Sequence, residues 1–233
     1  MTKKKETTKK LSKKEAKKIA DEAAALIANE NRIPTPSEIK NEEDGLIFKI
    51  IIQNCVASVN LFTSINLVSI YQQLIDDDVL TVSFNPEQFP GLILKTKNPK
   101  ISSLVFSSGK LVITGAKSTD MVHEAVYVVM GILRDSGTTI DEDPEIIVQN
   151  IVASGNFNKR TINLELASMW LESSMYEPEQ FPGLIYRLPI PKTVLLLFQS
   201  GNLVCTGAKT EDQVHEAVRK TYDDLDEIEA FDT

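Results

Sequence analysis

Pro86-Glu87-Gln88-Phe89-Pro90-Gly91-Leu92-Ile93 is repeated residue for residue at Pro178-Glu179-Gln180-Phe181-Pro182-Gly183-Leu184-Ile185. An eight-residue identity inside one chain is the mark of internal duplication. Working outward, Gln53-Asn54-Cys55-Val56-Ala57-Ser58 returns as Gln149-Asn150-Ile151-Val152-Ala153-Ser154, and Phe106 to Lys117 returns as Phe198 to Lys209. Val122-His-Glu-Ala-Val126 returns at 214–218. The first motif recurs after 96 residues and the other three after 92, so the first copy holds four extra residues between Val59 and Pro86. Asp76-Asp77-Asp78 falls in that window and is expected in a lengthened turn.

A unit of about 90 residues present twice is too long for a solenoid repeat and points to a duplicated half-domain with pseudo-two-fold symmetry. Each copy has one pattern. An opening strand (46–59; 145–156) leads to a short helix with apolar residues at helical spacing (67–75; 162–171). A strand then runs into Phe-Pro-Gly, where Pro fixes φ and Gly permits a tight reversal. Two further strands, 101–106 and 111–114 in the first copy, are joined by Ser-Gly, a hairpin signal. A long helix closes each copy (118–136; 210–228), with Ser or Thr at its start and acids in its first turn. Strands followed by a helix, twice, predict an α+β fold: an antiparallel sheet with helices on one face. The expected organisation is an N-terminal extension (1–45), repeat one (46–141), repeat two (142–222) and an acidic tail (223–233).

Period-two parity separates the strand residues that face the helices from those that face away. Cys55, Val105, Leu111 and Ile113 form the helix-facing class. The other class holds Asn54, Val56, Leu104, Phe106, Val112 and Thr114, and in the second copy Asn150, Val152, Leu196, Phe198, Val204 and Thr206. It is apolar and almost uncharged, with one amide and one hydroxyl per copy, as a docking surface would be. Net charge, −8 over 233 residues, would argue against nucleic acid, but the bases are not spread evenly. Residues 1–18 hold nine lysines against two acids, and 46–222 holds 14 bases against 18 acids. Eight of those 14 (Lys95, Lys97, Lys100, Lys110, Lys117, Arg187, Lys192 and Lys209) lie in or beside the strands. An apolar sheet rimmed by cations suits a DNA minor groove, which is read by shape and few base-edge acceptors.

These residues together resemble the TATA-binding protein family, over both copies and about three-quarters of the chain. The low pI of 4.9 and short acidic C-terminus are similar to the archaeal branch. The resemblance implies a saddle with a ten-stranded antiparallel sheet below and helices on the convex side. It implies that Phe89, Phe106, Phe181 and Phe198 are DNA-intercalating wedges, Phe89 and Phe181 on stirrup turns stiffened by Pro90 and Pro182. Gln53, Asn54, Gln149 and Asn150, with Thr114 and Thr206, would meet minor-groove acceptors. Val56, Val112, Val152 and Val204, with Leu104 and Leu196, would line the groove floor. Lys95, Lys100, Lys110, Lys117, Arg187, Lys192 and Lys209 match phosphate contacts. Tyr176, Glu177 and Glu179 match the surface offered to transcription factor B. Three positions depart from the family: Lys95 stands for an arginine, Gln88 for a basic residue, and Asn202 for the lysine that Lys110 retains, which should weaken binding or its tolerance of salt.

The function implied is a general transcription initiation factor that binds double-stranded DNA at an A·T-rich TATA box, kinks it, and recruits transcription factor B and RNA polymerase. No cofactor, metal or catalytic residue is expected. His123-Glu124 and His215-Glu216 lack the further ligands zinc requires, and no Ser-His-Asp order or P-loop is supported by flanking structure. Two alternatives stand beside it: a domain of this fold serving a DNA glycosylase or ribonuclease, and a family paralogue that binds only protein. Two cysteines fit a reducing compartment. With no signal-peptide pattern and no apolar run of membrane-spanning length, an intracellular address is expected: cytoplasm (nucleoid) if archaeal, nucleus if eukaryotic. Residues 1–45 read as a basic, partly helical or disordered arm that adds DNA affinity or solubility, with nuclear localisation a further reading.

Overall fold

The computed structural model describes residues 37–40 and 47–231. Of the expected N-terminal extension (1–45), residues 1–36 and 41–45 lie outside them, while 37–40 form a strand; residue 46 and the last two residues also lie outside. The described chain forms strands β1 (Ser37–Lys40), β2 (Ile47–Asn60), β3 (Thr81–Ser83), β4 (Leu92–Lys97), β5 (Lys100–Val105) and β6 (Lys110–Ala116) in its first half. Its second half holds β7 (Glu145–Asn156), β8 (Ser174–Met175), β9 (Gly183–Leu188), β10 (Thr193–Phe198) and β11 (Asn202–Ala208). Four helices are described: α1 (Leu67–Leu74), α2 (Thr119–Asp135), α3 (Leu164–Trp170) and α4 (Glu211–Glu227). None is long and apolar enough to cross a membrane.

All strands join one curved antiparallel sheet in the order β3-β4-β5-β6-β2-β7-β11-β10-β9-β8, with β1 added to β2. The two opening strands, β2 and β7, lie side by side at its centre, so the second copy continues the sheet of the first. Each repeat contributes five strands, whereas the pattern reading found four. The one it lacked follows Phe-Pro-Gly: the apolar run after that turn is a strand of its own, β4 or β9. β1 is also additional. It pairs Ser37 with Ile50 and Lys40 with Ile47 along the half of β2 that precedes the β6 pairing.

The helices begin where side-chain oxygens cap them. Ser118 Oγ accepts from Met121 N at 3.1 Å and Thr210 Oγ1 from Gln213 N at 3.2 Å; Asn66 and Asn163 cap the short helices in the same way. Each cap occupies an otherwise unpaired helix N–H. α3 therefore starts two residues later than its periodicity predicts, because Asn163 is its cap and Ile162 forms a β-bridge to Phe231. One face of α2 (Val122, Val126, Val129, Leu133) and one of α4 (Val214, Ala217, Val218, Leu225) are buried with the upper side of the sheet. Cys55, Val105, Leu111 and Ile113 lie in that core as parity predicts, with Ile151, Leu195, Leu203 and Cys205 in the second half. The segment expected as an acidic tail is largely built in. α4 runs to Glu227, and buried Phe231 packs edge-on against Phe157, with ring centroids 5.7 Å apart. Arg160 stacks over the Phe231 ring and bonds Asp226 at 3.1 Å. Asp76 to Asp78 do sit in a turn, where Asp77 Oδ1 accepts from Val79 N and Leu80 N, both at 2.7 Å.

Candidate nucleic-acid interface

The lower face of the sheet is organised by two irregularities in its central pair. Pairing between β2 and β7 steps from Ile52–Ala153 to Asn54–Val152, passing over Gln53, and from Val56–Asn150 to Ala57–Val148, passing over Gln149. A residue passed over in a ladder breaks strict alternation, so two successive side chains can share a face. Gln53 Nε2 donates to Ser154 Oγ and Gln149 Nε2 to Ser58 Oγ, each at 2.8 Å. Both Gln-Asn dipeptides are thereby presented downward. Simple parity would have placed Gln53 with the buried Cys55.

Each asparagine is then oriented by a second irregularity, in the pairing of its strand with the outer neighbour, β6 for β2 and β11 for β7. Asn54 Oδ1 accepts from Gly115 N at 2.8 Å and Asn150 Oδ1 from Gly207 N at 2.7 Å. The two glycines have φ of 101° and 99°, a region that favours glycine. Thr114 Oγ1 lies 3.2 Å from Asn54 Oδ1, and Thr206 Oγ1 lies 3.2 Å from Asn150 Nδ2. A main-chain N–H on the amide oxygen fixes which way the amide is turned. Its NH2 is left as the group with donors to offer, beside the glutamines and threonines of the same face; the NH2 of Asn150 donates once to Thr206 Oγ1 and keeps its second hydrogen.

At the two ends of this face the phenylalanines meet in pairs. Phe89 and Phe106 have ring centroids 5.8 Å apart at 65°, and Phe181 and Phe198 are 5.7 Å apart at 71°. All four are half-buried and lie outside the helix-side core. The glycine of Phe-Pro-Gly makes room for them. A Cβ on Gly91 would stand 2.6 Å from Phe89 Cε1 and 3.1 Å from Phe106 Cε1; on Gly183 it would stand 2.8 and 3.0 Å from the corresponding atoms. The sequence reading assigned these glycines only to the turn. The ring pairing they permit was readable in the exact repetition of Pro-Gly after each Phe.

Between centre and ends run two cross-strand rows: Ile93, Leu104, Val112, Ser58 and Ile147 in one half, and Ile185, Leu196, Val204, Ser154 and Ile51 in the other. The isoleucines had not been singled out. The rows match in residue type and register but differ in exposure. Leu104, Val112, Val56 and Val152 are half-buried, as expected of a free face, whereas Leu196 is 1% exposed and Val204 2%. That corrects the expectation that Leu196 and Val204, like Leu104 and Val112, stand open on the outward face. Leu196 and Val204 are also outside the helix-side core, and the row itself does not account for their cover, since the first copy has the same residues in the same register. A cleft of about 610 Å³ opens in the first half between Phe106, Val112 and Ile147.

Lys95, Lys100, Lys110, Lys117, Lys192 and Lys209 are exposed and Arg187 is half-buried; none bonds a carboxylate among the described residues. Lys95 pairs with Ser102 and through it with Thr114; Arg187 pairs with Val194 and through it with Thr206. Lys97 and Lys100 are direct cross-strand partners. Like charges so placed repel, and a polyanion across the face would relieve that. Asn202 accepts from Asn156 Nδ2 at 2.6 Å, so the residue replacing the second lysine is engaged with its neighbour.

The three residues singled out before the second stirrup do not behave alike. Glu177 and Glu179 are exposed, while Tyr176 is half-buried against the core. Glu177 O accepts from Gln180 N and Phe181 N, as Asn85 O does from Gln88 N and Phe89 N, so the two turns share a backbone and differ in charge. Cys55 and Cys205 are buried; burial, aided by Glu211, raises the Cys55 thiol to about 11, and burial raises Cys205 to about 12. No cluster of three metal-ligating groups occurs among the described residues.

A duplicated α+β saddle that turns an apolar, cation-rimmed sheet away from its helices is the architecture of a DNA-binding protein, and the family it matches is one of transcription factors rather than enzymes. The family model for "Transcription factor TFIID (or TATA-binding protein, TBP)" matches residues 49–136 and 145–228. The chain belongs to the TATA-binding protein family. It is 49% identical to the TATA-box-binding protein of Pyrodictium occultum over 180 residues, 77% of this chain and 87% of that one. It is 48% identical to that of Sulfolobus acidocaldarius over 178 residues, 76% and 87% of the two chains. Among solved structures, Methanococcus jannaschii TBP is similar with a TM-score of 0.69 at 39% identity, covering 76% of this chain and 98% of that one.

Proposed function

We propose that this chain is a general transcription initiation factor that binds an A·T-rich TATA box through its lower face, from the minor groove. Asn54 and Asn150 present NH2 donors at the centre of that face. A·T pairs offer only the N3 and O2 acceptors there, whereas a G·C pair adds the N2 amine, which would oppose an amide donor and crowd Val56 and Val152. Phe89 with Phe106, and Phe181 with Phe198, enter base steps at the two ends and kink the duplex, each ring replacing part of a lost base stack. The seven cations hold the flanking phosphates. Repeat one (46–141) and repeat two (142–222) act as the two halves of the clamp. The observation that carries the reading is the placement of one phenylalanine pair at each end of a face whose central amides are turned outward by glycine N–H groups.

Once on DNA, the second stirrup, with Tyr176, Glu177 and Glu179, receives transcription factor B, and RNA polymerase follows. Both stirrups share one acid, Glu87 or Glu179, and the extra charge of Glu177 where the first has Asn85 gives a near-symmetric clamp a polarity. The similarity to archaeal relatives supports work in the cytoplasm, on the nucleoid. Gel-shift and end-to-end FRET with a TATA duplex and its G·C-substituted control test the reading. Binding of the A·T duplex alone, with bending lost in Phe89→Ala/Phe181→Ala, is expected. Equal affinity for both duplexes would overturn it.

A further inference from the structure

The C-terminal end of α3 carries an apolar pair that nothing in the DNA-binding face uses. Met169 is 72% exposed and Trp170 67%, a large commitment of apolar surface to water, and such a patch marks an interaction site. The corresponding positions of the first copy, Gln72 and Gln73, are polar. Carboxylates flank the pair along the chain. Glu165 lies one helical turn before Met169 and Glu172 two residues beyond Trp170, both exposed. Asp224 of α4 accepts from the Tyr186 hydroxyl at 2.7 Å, and Asp224 and Glu172 both act, after burial, to raise the pKa of that phenol, which brings a third carboxylate to the same end of the fold. From residue 161 to 186 the chain has four acids and no base.

We infer that Met169 and Trp170, with Glu165 and Glu172, form a docking surface for a basic face of transcription factor B, continuous along the chain with the second stirrup. This rests on the proposal that the stirrup receives that factor. An apolar pair inside an acidic rim selects a partner bearing an aliphatic or guanidinium group among Lys and Arg side chains. A guanidinium is suited to both parts, stacking on the indole while pairing with the carboxylates. Exposed tryptophan is among the residue types most often decisive at an interface.

Trp170 is the single tryptophan of the chain, so the full-length protein grown with 5-fluorotryptophan gives one 19F resonance at this site. On adding transcription factor B to its TATA-duplex complex, that resonance should shift and broaden. Trp170→Ala should weaken recruitment of the factor roughly tenfold or more, with TATA binding unchanged, and Trp170→Phe should restore part of the loss. A still resonance with normal recruitment by Trp170→Ala overturns the inference; if Glu177→Arg weakens recruitment in the same assay, the stirrup reading survives it. Failure of Glu177→Arg and Glu179→Arg to weaken recruitment overturns both. A resonance that moves with protein concentration or with DNA alone also overturns the inference, making the patch a self-association or DNA surface.

Discussion

Glu211 Oε1 accepts hydrogen bonds from both the backbone N (3.1 Å) and the Oγ1 (3.2 Å) of Thr119, and Thr119 is Glu211's own counterpart in the first repeat. Each is the first residue of its long helix, so the pseudo-two-fold relation brings the two helix starts together. A single carboxylate thereby serves the N-terminal turns of both, where negative charge and N–H acceptors are favourable. Glu211→Ala should lower stability by about 1 kcal/mol; Glu211→Gln should lose less, since it keeps an acceptor. Urea unfolding checks both. A Thr119→Val/Glu211→Ala cycle with no coupling would show that the contact contributes nothing.

Gly91 and Gly183 hold the ring pairs together by lacking a side chain. Gly91→Ala should push Phe89 from Phe106, because its Cβ would need 2.6 Å from the Phe89 ring edge. The rings are half-exposed and can swing, so melting temperature should change little. Duplex bending and affinity depend on ring placement and should fall, the affinity about tenfold, the scale of one lost base–aromatic stack. An unchanged FRET-measured bend in Gly91→Ala/Gly183→Ala would contradict the wedge geometry.

Asn54→Asp separates the two jobs of the asparagine. A carboxylate still accepts from Gly115 N, so the fold should be retained. The donors that face outward are lost and a negative charge replaces them, against a groove lined by acceptors. TATA affinity should fall at least tenfold to a hundredfold, with the urea midpoint near that of the parent. Retained affinity would mean that the amide's NH2 makes no contact with the duplex.

Much of this was legible because the chain states it twice. Duplication, the α+β class, the capped helices and the helix-facing class of Cys55, Leu111 and Ile113 follow from repetition and period-two parity. What parity misreads is where the ladder skips. Gln53 and Gln149 share a face with their asparagines only because the β2–β7 pairing passes over them, and a skip leaves no periodic trace. β4 and β9 were hidden because an apolar run starting at a turn glycine has no boundary residue of its own. The unequal cover of Leu104 and Leu196 lay beyond sequence, since their neighbours in register are the same. The reach of the C-terminus was missed because acidic composition suggested solvent, while Phe231 anchors the chain against Phe157.

The buried thiols give the fold an alkaline limit. An unfolded cysteine ionises near its usual 9.0, whereas burial holds Cys55 up to about 11 and Cys205 up to about 12. Above pH 9 the unfolded chain sheds these protons first, so the folded state loses stability progressively until its own thiols ionise. Below pH 9 the contribution is whole. The urea midpoint should therefore fall between pH 9 and 11. Cys55→Ala/Cys205→Ala should start lower, from lost packing, but decline less steeply over that range. Parallel pH profiles would refute the assignment. In the native protein, alkylation of both thiols at pH 8 should be slow.

Ser103 is the one buried side chain among the described residues whose polar atom has no hydrogen-bond partner. It sits on the helix-facing side of β5, fully buried, where the second repeat has the equally buried Leu195. A hydroxyl there gives up its bonds to water and receives none in return, at a cost of about 1–3 kcal/mol. Alanine keeps the small volume and removes that loss, while the methylene lining the site stays in place. Ser103→Ala should raise stability by about 1 kcal/mol and the melting temperature by about 2–4 °C, with TATA binding unaltered because the residue faces away from the DNA side. A fall in melting temperature would show that the hydroxyl is satisfied in solution, by a water held between β5 and α2, and that the strand keeps serine for that bond.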